Sequence, residues 1–202
     1  KRVAADFKDD ITPYLPRVPT RKNGKRIALI GAGPASLAVA RDLLPQGYEV
    51  HLFEKDPFAG GMMRTQIPAF RLPERVLDEE VNLILDMGVE RHFGAEITSM
   101  KALLAQGFDA YFVGTGAPRG RDLDLPGRRE VDAHVSIGIN WLASVAFGHT
   151  TSIAGKVIVM GGGNTAMDCC RTAKRLGAES VTVVVRSAFE VMKASEWEKE
   201  DA

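Results

Sequence analysis

A chain of 202 residues has room for one large or two small domains, and its composition, 45% hydrophobic and 26% charged with 20 glycines, is that of a globular protein, not a disordered or fibrous one. Lys+Arg and Asp+Glu balance at 26 each, so the net field that nucleic-acid or membrane-surface binding relies on is missing. No apolar run reaches the length of a bilayer span, and KRVAADFKDD lacks the apolar stretch and cleavage site of a signal peptide, so a cytoplasmic location with no membrane span and no nucleic-acid partner is expected.

Residues 1–24 carry Pro13, Pro16 and Pro19 without a clean period and read as an arm or linker. The first clear strand is Arg26–Ile30. Gly31 turns the chain into a helix from Pro34 to about Leu44, where proline suits the first turn and Pro45 and Gly47 close the end. Tyr48–Glu54 is the second strand. The Gly/Pro-rich stretch 57–73 shows no element, and PERVLDEEVNLILDMG then spaces its apolar residues as a helix ending on Gly88. Val89–Phe93 and Ala110–Val113 read as short strands, and Ile137–Phe147 as an amphipathic helix ended by Gly148. Lys156–Met160, three glycines, a helix to about Leu176 and the strand Val181–Arg186 then repeat the order seen from Lys25 to Glu54.

Two β, glycine-rich turn, α, β units predict an α/β protein with two Rossmann-like doubly wound parallel sheets, each offering a phosphate site where its first strand feeds a helix. In the first, I-G-A-G-P-A-S places Gly31 and Gly33 at the first two fingerprint positions and Ser36 at the third, where glycine is usual. Gly31 allows the tight turn, Gly33 lets the backbone approach a pyrophosphate, and the helix N-terminus attracts it. Glu54, at the end of the second strand, stands where a carboxylate accepts hydrogen bonds from a ribose diol. In the second unit, Gly161, Gly163 and Ala166 take the three positions. Arg186 ends its following strand, where a base favours a 2′-phosphate; a solvated arginine at a strand end is the alternative.

The adjacent Cys169 and Cys170 provide neither a disulfide framework nor a metal cluster, and no metal site is expected. They lack the Cys-x-x-Cys spacing of a redox pair and read as two small buried residues. The four histidines are scattered among strand, loop and helix ends and read as structural or surface residues.

In this order I-G-A-G-P-A, F-E-K, G-G-M-M-R, I-P-A-F-R-L-P, V-G-T-G and G-G-G-N-T-A-M-D resemble the glutamate synthase small-subunit-like flavoproteins of the pyridine nucleotide-disulfide oxidoreductase superfamily, from about Lys25 to Ala202. The resemblance implies a glutathione-reductase-like two-domain flavoprotein, with FAD in the first unit and NAD(P)H in the second. Gly31, Gly33, Pro34 and Ala35, with Ser36 behind them, would then hold the FAD pyrophosphate; Glu54 would hold its ribose, with Lys55 beside the adenosine. Gly61, Met62 and Arg64 would line the ribityl and isoalloxazine end, Ile97 would meet adenine through its backbone, and Thr115 and Gly116 would mark where the chain passes under the flavin. Gly161, Gly162, Gly163, Asn164 and Thr165 would carry the nicotinamide nucleotide. The chain departs from the family pattern at Thr65-Gln66 for Tyr-Gly, at Gly114 for an alanine, and at Ser187 and Phe189 for arginines, so the choice between NAD and NADP stays open.

The expected division is an arm over 1–24, a FAD-binding part over 25–118, a linker with a helix over 119–152 and a NAD(P)-binding part over 153–202. The resemblance further implies an electron-transfer subunit in which hydride passes between nicotinamide and flavin. An iron–sulfur subunit or domain, beside a larger catalytic subunit, would exchange electrons with it. No general acid or base is assigned, since the flavin carries the chemistry. A stand-alone NAD(P)H reductase of small acceptors and a non-catalytic scaffold are the alternatives. The first residue, Lys1, and a last segment with a helical pattern make an incomplete C-terminal domain and a fragment of a longer protein the expectation.

Overall fold

A computed structural model describes residue 7, residues 9–124 and residues 126–202; residues 1–6 and 8 of the expected arm, and Leu125, lie outside the described residues. The chain divides into two compact units, one of residues 1–61 and 75–116, the other of residues 62–74 and 117–202. Residues 62–74 leave the first unit's sequence to pack with the second.

The first unit is a four-stranded sheet in the order β3-β2-β1-β4, built from β1 (Arg26–Ile30), β2 (Glu49–Glu54), β3 (Glu90–Phe93) and β4 (Ala110–Val113). All three pairings are parallel, with Ile27 opposite Val50, His51 opposite Glu90 and Ile30 opposite Val113. Parallel strands covered on both faces are apolar nearly throughout. Accordingly β1, Arg-Ile-Ala-Leu-Ile, is buried from its second residue, and β2 is buried from Val50 to Glu54. His51 is the polar interruption of that run.

Helix α1 (Pro34–Leu43) joins β1 to β2, and its Leu37 and Ala40 are buried. A 3-10 turn at Leu44–Gln46 replaces the last residue of the predicted helix, and Gly47, at φ 85°, ends it in the left-handed region that glycine enters at no steric cost. Residues 62–65 form a short helix, α2, in the stretch read as having no element. Helix α3 (Glu74–Leu85) follows, with Leu77, Val81 and Leu85 buried one turn apart along one stripe. A second unpredicted helix, α4 (Met100–Leu104), is capped by Ser99, whose hydroxyl accepts from the Ala102 N–H at 3.2 Å. Its Leu103 joins Ala28, Ile30, Phe53 and Phe108 in a core cluster.

In the second unit, α5 (Gly138–Ala146) precedes β5 (Lys156–Met160), α6 (Asn164–Arg175) and β6 (Ser180–Val184). β5 and β6 pair in parallel with Lys156 opposite Ser180. β6 therefore starts one residue earlier than the sequence pattern indicated and ends before Val185 and Arg186. Val159 and Val183 pack against Ala166 and Met167 of α6, while Ile158, Met160 and Val184 stand exposed among the described residues. A short helix, α7 (Glu196–Glu200), follows. Among the described residues no helix is long and apolar enough to cross a membrane.

Candidate functional site

Each unit carries one strand-glycine-helix turn, and the two are held differently. In the first, Gly31 sits at φ 92°, and a Cβ there would lie 2.7 Å from the Gly114 carbonyl oxygen, so any side chain meets backbone. Gly61, at φ 53°, presses equally hard from the other side: its Cβ would stand 2.8 Å from Gly33 Cα. The Gly60 N–H donates to the Ala32 carbonyl at 2.9 Å, fixing that approach. Two backbone segments, at Gly60–Gly61 and at Gly114, thus converge on the turn, and glycines at 31 and 61 let them meet it.

Glu54 completes this closure. It is buried; its Oε2 accepts from the Ala32 N–H at 2.7 Å and its Oε1 from the Asp56 N–H at 3.1 Å. A carboxylate has about four lone-pair positions, so two backbone donors leave acceptor capacity for a diol while fixing the side chain's direction. Lys55 beside it is exposed, 3.8 Å from Asp56. Thr115 and Gly116, just beyond β4, are exposed, with Gly116 at φ 67°. Ile97 is half-buried against the core cluster of α4.

Ser36, the departure from the glycine fingerprint, and Gly114, a departure from the family pattern, turn out to be neighbours. Ser36, at the third fingerprint position, is fully buried, and a Cβ on Gly114 would lie 2.3 Å from its Oγ. A Cβ at 114 would also lie 2.9 Å from the Phe112 ring, so the alanine expected there meets both the serine and the ring, and glycine at 114 leaves room for both. Among the described residues the Ser36 Oγ has no hydrogen-bond partner.

The second turn is open. Gly161 has φ 143°, and its Cβ would only touch Ala166 Cβ at 3.6 Å; at Gly163, with φ −103°, a Cβ would meet nothing within 4 Å among the described residues. Gly162 backs onto Val185, and its carbonyl accepts from the Ala194 N–H at 2.9 Å. Asn164 Oδ1 accepts from the Ser195 N–H at 2.9 Å, and Thr165 is exposed beside it. Arg186 is exposed two residues past the end of β6. Met62 opens α2 and is exposed, Arg64 on the same helix is half-buried, and both belong to the second unit.

Both helices behind these turns start on glycine, Gly33 for α1 and Gly163 for α6, and among the described residues neither has a side-chain cap. The first N–H groups of a helix have no intrahelical acceptor, so an uncapped start leaves them, and the positive end of the helix dipole, for an anion. Ser99 on α4 shows the chain using a side-chain cap elsewhere. The combination of a positive-φ glycine and an uncapped helix start, common to both turns, suits a phosphate group.

A charged network that sequence reasoning did not find supports α6. Arg71 donates to both oxygens of Asp168, at 2.9 and 2.7 Å, and its Nε lies 2.9 Å from Glu198. Arg171 binds Glu198 at 2.6 Å and Asp201 at 3.0 Å. The Phe70 ring takes the Arg171 and Arg175 guanidiniums at 4.7 and 4.0 Å from its centroid. Burial raises the Asp168 carboxyl above the ordinary range, against the lowering influence of Arg71. The I-P-A-F-R-L-P and G-G-G-N-T-A-M-D segments thus meet through Arg71 and Asp168. Burial likewise pushes the Cys169 thiol up to about 12, and Cys170 in the same direction, so neither is a ready thiolate.

Comparison with known proteins agrees with this geometry. Residues 25–200 match the pyridine nucleotide-disulphide oxidoreductase family. The chain is 36% identical to the NADPH-Fe(3+) oxidoreductase subunit beta of Geobacter sulfurreducens, over 100% of this chain and 31% of that protein. It is 37% identical to the small chain of the NADPH glutamate synthase of Azospirillum brasilense, over 91% of this chain and 40% of that one. Among solved structures FprA, a Mycobacterium tuberculosis oxidoreductase, shares the fold with a TM-score of 0.69 at 17% identity, over 86% of this chain and 46% of FprA. The chain therefore spans well under half the length of these two curated relatives. With two strand-glycine-helix turns on parallel sheets and a family match across nearly its whole length, this chain belongs to the pyridine nucleotide-disulphide oxidoreductase family, as its motifs implied.

Proposed function

We propose that the chain is the FAD- and NAD(P)H-binding part of an oxidoreductase subunit that exchanges hydride between a nicotinamide nucleotide and FAD and passes electrons to or from an iron–sulfur partner. The observation that carries this reading is the pair of uncapped, glycine-started helices, one per unit, in a chain of this family. FAD, when bound, supplies the means of accepting a two-electron hydride and releasing single electrons.

The chain's own residues bind and orient. Gly31, Gly33, Pro34 and Ala35 present the first helix start to the FAD pyrophosphate, with Ser36 packing behind them. Glu54, already fixed by the Ala32 and Asp56 N–H groups, offers its remaining acceptor capacity to the ribose, and Lys55 lies beside the adenosine. Ile97 offers backbone to adenine, and Thr115 and Gly116 carry the chain past the flavin. Gly61, Met62 and Arg64 serve its ribityl and ring end. Gly161, Gly162, Gly163, Asn164 and Thr165 receive the nicotinamide nucleotide's pyrophosphate, and exposed Arg186 is the residue available to a 2′-phosphate.

On this reading residues 25–118 supply the flavin part, 119–152 a linker and 153–202 the nicotinamide nucleotide part, in a cytoplasmic protein. The names of both curated relatives describe them as one subunit or chain, which favours a partner-dependent electron path over a stand-alone reductase. Flavin released from the purified protein by heat identifies the first cofactor. Recovery of one FAD per chain is expected, and a protein purified intact yet free of flavin would refute the proposal.

A further inference from the structure

The polar interruption in β2 is part of a side-chain cluster outside the residues assigned to either glycine turn. His51 stands opposite Glu90 in the β2–β3 register, and Phe53 opposite His92, so all three polar side chains rise from one face of the two strands. His51 Nδ1 lies 3.4 Å from His92 Nε2 and 3.3 Å from Glu90 Oε2, and His92 Nε2 lies 3.3 Å from Glu90 Oε1. A tetrahedral ion with bonds of about 2.0–2.1 Å holds its ligand atoms about 3.3–3.4 Å apart. We propose that His51, Glu90 and His92 form a binding site for a divalent transition metal, with Zn²⁺ as its natural occupant and water as the remaining ligand.

The surroundings fit that assignment. Two imidazoles and one carboxylate are a donor set that zinc and its neighbours accept, whereas calcium and magnesium prefer oxygen alone. Aromatic rings support both imidazoles: His92 stacks on Phe53 at 4.4 Å between centroids, and Phe108 meets the His51 ring edge-on at 5.0 Å. The His51 side chain is 9% exposed, His92 32% and Glu90 60%, so the cluster is anchored at its base and open to solvent at its rim. The two rings lie within 9° of parallel with centroids 5.6 Å apart, so the imidazoles must turn to aim both nitrogen lone pairs at a shared ion. Among the described residues β3 is an edge strand joined on one side only, and an ion here would tie it to β2. The role is therefore bracing of the flavin unit's edge, a function that does not depend on the cofactor assignment above.

The test uses untagged protein freed of metal with a chelator and titrated with Zn²⁺, and separately with Co²⁺, against a chromophoric competitor. One equivalent bound at micromolar or tighter affinity is expected, with the visible bands of tetrahedral Co²⁺ and a rise in Tm on Zn²⁺ addition. Glu90→Gln alters an exposed side chain and should weaken binding about 10-fold or more and abolish the Tm rise; His92→Gln should do the same. His134→Gln, in the other unit, should change neither. The proposal is overturned if no metal binds, or if Glu90→Gln binds as the parent does; should His92→Gln not fold, the Glu90→Gln result decides.

Discussion

The two units use one local design and secure it in opposite ways. The first turn is closed by backbone against backbone, with Gly31 under Gly114 and Gly61 against Gly33, and by a buried carboxylate on the Ala32 N–H. The second turn has room around Gly161 and Gly163, and firmness comes from beneath its helix, where Arg71 and Arg171 hold Asp168 and Glu198. The difference shows that a fingerprint of glycines specifies the turn but not what keeps it rigid. One solution depends on the absence of side chains, the other on two buried carboxylates being matched by two arginines.

The largest effect is expected in the second unit. Arg71→Met leaves Asp168 and Glu198, both nearly fully buried, without their shared partner, and should cost about 3–5 kcal/mol of that unit's stability by denaturant unfolding. The loss should depend on pH. A carboxyl whose folded pKa is raised destabilises the fold as pH climbs from its unfolded value through the raised one, because only the folded state then resists ionisation. The variant should therefore recover part of its deficit in acid; a deficit independent of pH would show that packing, not charge, is what Arg71 provides.

Next comes the direct comparison of the two turns. Gly31→Ala forces a Cβ onto backbone at a left-handed φ and should cost about 2–4 kcal/mol, with loss of flavin. Gly161→Ala meets only an ordinary contact and should cost about 1 kcal/mol, from φ alone. Equal costs would break the distinction between a closed and an open turn.

Gly114→Ala should cost about 1–3 kcal/mol because its methyl meets Ser36 Oγ and the Phe112 ring. Ser36→Ala alone removes a buried hydroxyl that has no partner among the described residues and should be neutral or stabilising. Combined with Gly114→Ala it should restore part of the loss, and simple additivity in the double-mutant cycle would deny the coupling. Smallest of all, Cys169 and Cys170 should resist iodoacetamide in the native protein at about pH 8 and react only after unfolding.

Much of this was legible in the sequence, for reasons that are local. Gly31 and Gly161 carry their turns wherever the chain goes, and Leu77, Val81 and Leu85 announce α3 by spacing. α2 and α4, of four and five residues, are too short to show a period, although Ser99 before Met-Lys-Ala held a capping signal for the second. The remaining features are products of pairing at long range. Arg71 and Asp168 are 97 residues apart, and His51 and His92 are 41, so nothing local announces that they meet. Ser36 and Gly114 each read as a separate departure until the strand order placed β4 beside β1.

Anaerobic spectroscopy tests the proposed passage of hydride between a nicotinamide nucleotide site and a flavin site. The intact native protein, with whatever co-purifies, is given NADH and NADPH in separate experiments while its visible spectrum is followed. A flavin band that at least one nucleotide bleaches is expected, with iron–sulfur absorbance accompanying the partner. A flavin band that neither nucleotide bleaches, or no flavin band at all, would contradict the proposal.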